Sequence, residues 1–126
     1  MFPEILEALL GFVPVRSPAQ LAGYHRYCIY DGPHLRPYPA VFPAPGRSVE
    51  GLLLRGLSGA QMAVLDAYED DDYVRQPCTV TVEGQLQPAV VYVWRAGRRG
   101  QLRSSWDKAD FEARHLKHYV ERLIGE

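Results

Sequence analysis

Near the middle of this 126-residue chain, Asp66 and the run Glu69-Asp70-Asp71-Asp72 gather five carboxylates within seven positions. Read on composition alone, such a charge run is a solvated turn after a helix. Two details keep proton-transfer chemistry open beside that reading. Acids at a helix C-terminus face the negative end of the macrodipole, so helix stability does not select this placement. Like-charged neighbours also raise a carboxylate's pKa, which makes a better base near neutral pH. A calcium loop is not indicated, because the ligand spacing and the glycine of an EF-hand are absent.

Other constellations are weaker. His115 and His118 have the i, i+3 spacing that can share a metal on one helix face, but no third ligand pattern accompanies them. A buried or interfacial histidine pair is the expectation, and no metal is assigned. His25 and Cys28 lie three apart on a strand-like stretch and point to opposite faces. There is no Gly-x-Ser-x-Gly elbow, phosphate-binding glycine loop or dinucleotide fingerprint, so no cofactor is expected. Tyr38-Pro39-Ala40-Val41 and Tyr73-Val74-Arg75 read by themselves as strand entries whose aromatics pack on a core.

The elements that must position these groups are short, because ten prolines and eleven glycines interrupt the chain throughout. Phe2–Leu10 carries a helical apolar stripe, with Pro3 in its first turn and Gly11 to stop it. Ala22–Tyr30, Tyr38–Phe42 and Val49–Leu54 read as extended segments, the last two separated by a turn at Pro45-Gly46. Ser58–Tyr68 is the clearest helix: Ser58 and Gln61 form a capping box, and Leu57 and Met62 have the spacing of a hydrophobic staple. Tyr73–Val82 and Pro88–Trp94 pair around Glu83-Gly84. Asp107 caps a last helix, Lys108–Ile124, whose stripe is Phe111, His115, Tyr119, Val120 and Leu123. Strands and helices mix without βαβ alternation. That predicts a single α+β domain over residues 1–126, its sheet curled towards a barrel.

Bulk properties narrow the partners. A formal net charge of -1, with lysines and arginines scattered among acids, argues against nucleic acid. The basic cluster Arg95 to Arg103 is broken by glycines and reads as a solvated loop. Cys28 and Cys78 form no framework and are expected as free thiols. No apolar run has the length of a membrane span, and the first residues lack the basic region of a signal peptide, so a cytoplasmic protein is expected. Nothing in the sequence specifies an oligomeric state.

Taken in order, Tyr38-Pro39-Ala40-Val41, Val49-Glu50-Gly51, Leu57-Ser58, Leu65-Asp66-Ala67-Tyr68-Glu69, Tyr73-Val74-Arg75 and Val91-Tyr92-Val93-Trp94 form a signature. It resembles the gamma-glutamylcyclotransferase-like superfamily, especially its plant avirulence-induced branch, over nearly the whole chain. The specific part is the Leu-Asp-x-x-Glu-x-x-x-Tyr-x-Arg block. The resemblance implies a small mixed barrel with flanking helices. It also implies an enzyme that cyclises a γ-glutamyl amine or amino acid to 5-oxoproline, an intramolecular acyl transfer without metal or cofactor. It puts the proton acceptor on Glu69 and makes Tyr38 and Tyr73 substrate-binding residues, with Tyr92 a further candidate for the pocket. Members of the family begin with a strand running into Tyr-Gly-Ser-Leu or Tyr-Gly-Thr-Leu, whose backbone holds the substrate. This chain begins Met1-Phe2-Pro3-Glu4, where that loop would hand over to the first helix. The expectation is therefore a domain without that strand and loop, with unpaired backbone on the neighbouring strands. The alternative reading is a catalytically impaired binding or scaffold module of the same fold.

Overall fold

The computed structural model describes residues 2–125, with side chains throughout that span except at Pro37, His118 and 122–125. Helix α1, Pro3–Leu10, starts with proline in its first turn. It ends at Gly11, whose φ of 81° lets its N–H reach the Glu7 carbonyl at 2.9 Å. Next come two long strands, β1 (Arg16–Asp31) and β2 (His34–Leu54), paired antiparallel.

The three short extended segments expected between Ala22 and Leu54 are therefore two long strands. The expected turn at Pro45-Gly46 survives only as an irregularity in the ladder. Ala22 pairs with Ser48, but Tyr24 pairs with Pro43, so residues 44–47 bulge opposite Gly23. Gly23 and Gly46 both take a positive φ there, 84° and 81°. Prolines 39, 43 and 45 are accommodated because β2 is the edge of the sheet, where a missing N–H costs least.

Helix α2, Gly59–Glu69, forms with the expected capping box. The Gln61 N–H donates to Ser58 Oγ at 3.1 Å and the Ser58 N–H donates to Gln61 Oε1 at 2.8 Å. A one-turn 3-10 segment, Asp70–Asp72, leads into β3 (Tyr73–Val82), which pairs along its whole length with β4 (Gln85–Trp94). Glu83 and Gly84 have φ of 50° and 77°, the signs that a two-residue hairpin turn of the primed type requires. A loop (Ala96–Gln101) and the short β5 (Leu102–Ser105) lead to α3 (Lys108–Arg114) and α4 (Leu116–Gly125).

The expected single last helix is broken at His115, which leaves the helical region at φ -123°, ψ -29°. The break has a packing reason. Phe111 and Leu116 are five residues apart and would point about 140° away from each other on one continuous helix. Both are buried in the same cluster with Ile5 of α1. Asp107 caps α3 as expected, accepting from the Asp110 N–H at 3.1 Å. The predicted stripe position Leu123 lies outside the described side chains.

The sheet order is β2-β1-β3-β4, with β5 on β1. All its pairings are antiparallel. It curls without closing, and the β1–β3 ladder registers one pair, Gln20 with Thr81. Among the described residues three separate clusters are buried rather than one. The helices enclose Ile5, Phe111 and Leu116; the sheet holds Leu21, Val80 and Val82 at one end and Ile29, Ala40 and Trp94 at the other. Phe111 is 2% exposed and stacks on Phe2 at 5.3 Å. Phe111→Ala is expected to lower the unfolding free energy by about 3–5 kcal/mol, measured by urea denaturation.

Candidate functional site

Glu69 is the last residue of α2, and the chain reverses sharply after it. Asp70 sits at φ 59°, ψ -161°, a region that essentially only glycine occupies without strain. Its N–H closes the helix on the Asp66 carbonyl. The turn Asp70–Asp72 then delivers Tyr73 to the start of β3, so Glu69 and Tyr73 flank a tight corner.

Paired cations hold this corner. The Asp72 carboxylate is met by Arg36 of β2 at 3.4 Å and, on its other oxygen, by Arg98 from the loop after β4. The Arg95 N–H donates to the Asp72 carbonyl at 2.8 Å, and its Nε donates to the Asp71 carbonyl at 2.6 Å. The basic loop is exposed, as expected, but it is not merely solvated, because two of its arginines hold the acidic turn. Sequence reading missed this, since the partners lie more than twenty residues apart and neither segment has a pattern that names the other.

Around Glu69 the structure assembles tyrosines from four elements and the start of a fifth. Tyr73 donates to the Pro39 carbonyl at 2.8 Å and packs edge-on against Trp94. Tyr68 of α2 and Tyr119 of α4 share a short hydrogen bond between their hydroxyls. The Tyr38 ring of β2 lies 6.2 Å from that of Tyr119. Tyr92 of β4 donates to Asp66 Oδ1, the same oxygen that Arg75 Nε approaches at 3.3 Å. The predicted residues Glu69, Tyr38 and Tyr73 thus fall in one neighbourhood: the Tyr73 phenol responds to the charges of both Glu69 and Tyr38. Tyr68 and Tyr119 join them. Tyr119 carried only a place on an apolar helical stripe and Tyr68 only a place inside the signature block, and core packing explains both equally well.

The electrostatics come from burial. Desolvation pushes the Glu69 carboxyl up to about 7. It also pushes the phenols of Tyr68, Tyr73 and Tyr92 above their ordinary range, and the nearby Glu69 charge adds to each. No hydrogen bond or ion pair from the described residues satisfies the Glu69 carboxylate, whereas Asp66 and Asp72 both have partners. The Asp66 side, with Ala67, Asp70, Asp71, Tyr73, Arg75 and Tyr92, lines an open cleft of about 450 Å³. Glu69 is not itself in that lining, but Asp70 beside it and Tyr73 are. Among the described residues no group of three or more histidine, cysteine, aspartate or glutamate side chains could hold a metal ion. The predicted His115/His118 pair cannot be placed, because the His118 side chain lies outside the described ones.

Two consequences can be measured. The folded-state pKa of Glu69 lies above its usual value of 4.5, so folding takes up a proton between about pH 4.5 and 7, and stability falls as pH rises through that window. Glu69→Gln removes the loss: thermal or urea unfolding is expected to show it more stable than the parent at pH 8 by roughly 2–3 kcal/mol, and similar to it at pH 4.5. Asp70→Gly relieves the strained backbone and is expected to raise the unfolding free energy by about 1 kcal/mol.

Comparison with known proteins places this chain in a family. The profile described as "Gamma-glutamyl cyclotransferase, AIG2-like" matches residues 1–112. AIG2-like protein D of Arabidopsis thaliana is 29% identical over 124 residues, covering 95% of this chain and 78% of the relative. Protein AIG2 B of the same plant is 29% identical over 121 residues, covering 94% of this chain and 69% of its own. A solution structure from Arabidopsis thaliana superimposes with a TM-score of 0.70 at 25% identity, covering 99% of this chain and 74% of that one. A structure described as gamma-glutamyl cyclotransferase shares the fold, with a TM-score of 0.55 at 17% identity over 85% of this chain and 70% of the other. The chain belongs to the gamma-glutamyl cyclotransferase, AIG2-like family.

Proposed function

We propose that this protein is a γ-glutamyl cyclotransferase that releases 5-oxoproline from a small γ-glutamyl amine or amino acid, with Glu69 as the proton carrier. The observation that carries the reading is the state of Glu69. It is a half-buried carboxylate without a partner among the described residues, raised by desolvation to about 7 and set among tyrosines, in a chain whose family includes cyclotransferases.

The chemistry needs such a group. The substrate's α-ammonium must lose a proton before its nitrogen can attack the γ-carbonyl carbon of the same molecule. A carboxylate titrating near neutrality is well matched to that task. The new C–N bond closes the five-membered ring, and the carbonyl π pair moves onto oxygen. Collapse of that tetrahedral species breaks the bond to the leaving nitrogen. Both protons shed by the ring nitrogen finish on the leaving amine, carried by Glu69 one at a time, so the base is regenerated. Because nucleophile and electrophile belong to one molecule, the site's main task is to hold a folded conformer, and Tyr38 and Tyr73 are the residues we assign to that. A cytoplasmic setting is part of the same reading, supported by the free cysteines Cys28 and Cys78.

The test is a panel of γ-glutamyl amines and amino acids with chromatographic detection of 5-oxoproline. Glu69→Gln is expected to reduce release by about 10²–10⁴-fold. For the parent, kcat/KM is expected to rise with pH through about 7 as the carboxylate ionises. Undiminished release by the glutamine variant would end the assignment.

A further inference from the structure

Cyclisation also puts negative charge on the γ-carbonyl oxygen, and a donor must meet it there. The phenols near Glu69 are unequal candidates. Tyr73 and Tyr92 commit their hydrogens to the Pro39 carbonyl and to Asp66, and Tyr68 and Tyr119 share a hydrogen bond with each other. Tyr38 is different. Its oxygen accepts from Arg36 Nη1 at 3.2 Å, and its own hydrogen has no acceptor among the described residues. Arg36 and Tyr38 lie two apart in β2, where the ladder shifts register between Leu35 and Pro39, and the guanidinium sits 5.9 Å from the phenol ring. Arg36 is held from behind by Asp31 at 3.2 Å and by Asp72 at 3.4 Å. Asp72 belongs to the turn directly after Glu69, so one network fixes both the base and the phenol.

Resting on the cyclotransferase reading, we propose that Tyr38 is a catalytic hydrogen-bond donor to the oxyanion, and that Arg36 is the positioning residue that orients and polarises it. As charge develops on the γ-carbonyl oxygen, the phenol O–H donates to it and electron density shifts onto the phenol oxygen. The guanidinium donating to that oxygen stabilises the shift. The phenol keeps its proton throughout, so the proton balance of the cyclisation is unchanged. The ring that holds the substrate is kept in Tyr38→Phe; the hydroxyl acts only in the transition state, and its loss is read in kcat rather than KM.

The experiment is steady-state kinetics with γ-glutamyl-alanine, together with calorimetric binding of the same compound to the Glu69→Gln protein. Tyr38→Phe is expected to lower kcat by about 10²-fold while KM moves less than about threefold. Adding Tyr38→Phe to the Glu69→Gln protein is expected to leave affinity within about threefold. Arg36→Lys, which keeps the charge and a donor, is expected to retain more of kcat than Arg36→Met. A Tyr38→Phe kcat within about twofold of the parent overturns the proposal, as does a loss confined to KM and affinity. If Tyr38→Phe does not fold, the Arg36 pair decides: equal kcat in the two variants overturns it. Absent turnover in the parent, or undiminished turnover in Glu69→Gln, overturns the underlying reading and the role of Tyr38 with it. Turnover that needs Glu69 but survives Tyr38→Phe removes the role of Tyr38 alone.

Discussion

The carboxylate of Asp72 joins three parts of the chain that are far apart in sequence. It takes Arg36 from the start of β2 on one oxygen and Arg98 from the loop after β4 on the other. Its backbone carbonyl accepts from Arg95. With its side chain 24% exposed, it sits where partial desolvation strengthens each contact above the level of a surface ion pair. The adjacent strain at Asp70 needs such a clamp: a residue held in a glycine-only conformation persists because its surroundings over-determine it. Cutting the clamp would free the corner that aims Glu69.

At that corner sits a carboxylate that the described residues leave unsatisfied. Desolvating an acid costs stability, and the protein meets part of that cost by letting the group bind a proton, which is what a value near 7 means. The neighbouring carboxylates have settled differently, Asp66 on Tyr92 and Arg75, Asp72 on two arginines. Three acids within seven positions thus have separate electrostatic fates. Glu69 is in a state to exchange protons near neutral pH.

The sheet explains why tyrosines surround that acid. Among the described residues the interior falls into three buried clusters. Tyr68 and Tyr119 pack against the helical cluster, while Tyr38 and Tyr73 pack against the one built on Ile29, Ala40 and Trp94. The contact of Tyr38 with Tyr119 spans the two. Side chains with an apolar body and a polar tip suit such a boundary, since each ring buries on one side and keeps its hydroxyl for the seam.

The elements were legible where local chemistry dictates them. The Ser58–Gln61 capping box, the Glu83-Gly84 turn, the Asp107 cap and the Gly11 stop each depend on a few adjacent residues, and each formed where the sequence places it. The signature around Leu65, Asp66, Glu69 and Tyr73 singled out one acid from a run, although composition favoured a solvated turn. Misreadings arose where distant packing overrode local pattern. Pairing with β1 joined two extended segments into β2 across Pro45-Gly46, and the shared burial of Phe111 and Leu116 broke the last helix at His115. By itself the sequence determined the mixed α+β character, the acid to single out and the residues that start and stop its helix, because these rest on periodicity, short-range hydrogen bonding and a compact signature. Tertiary structure alone decided that Glu69 is desolvated without a partner among the described residues, that Asp72 is clamped by arginines from two other segments, and that one network links Asp72 through Arg36 to Tyr38. Each of those depends on groups meeting through folding across twenty or more residues of chain, and no local pattern encodes such a meeting.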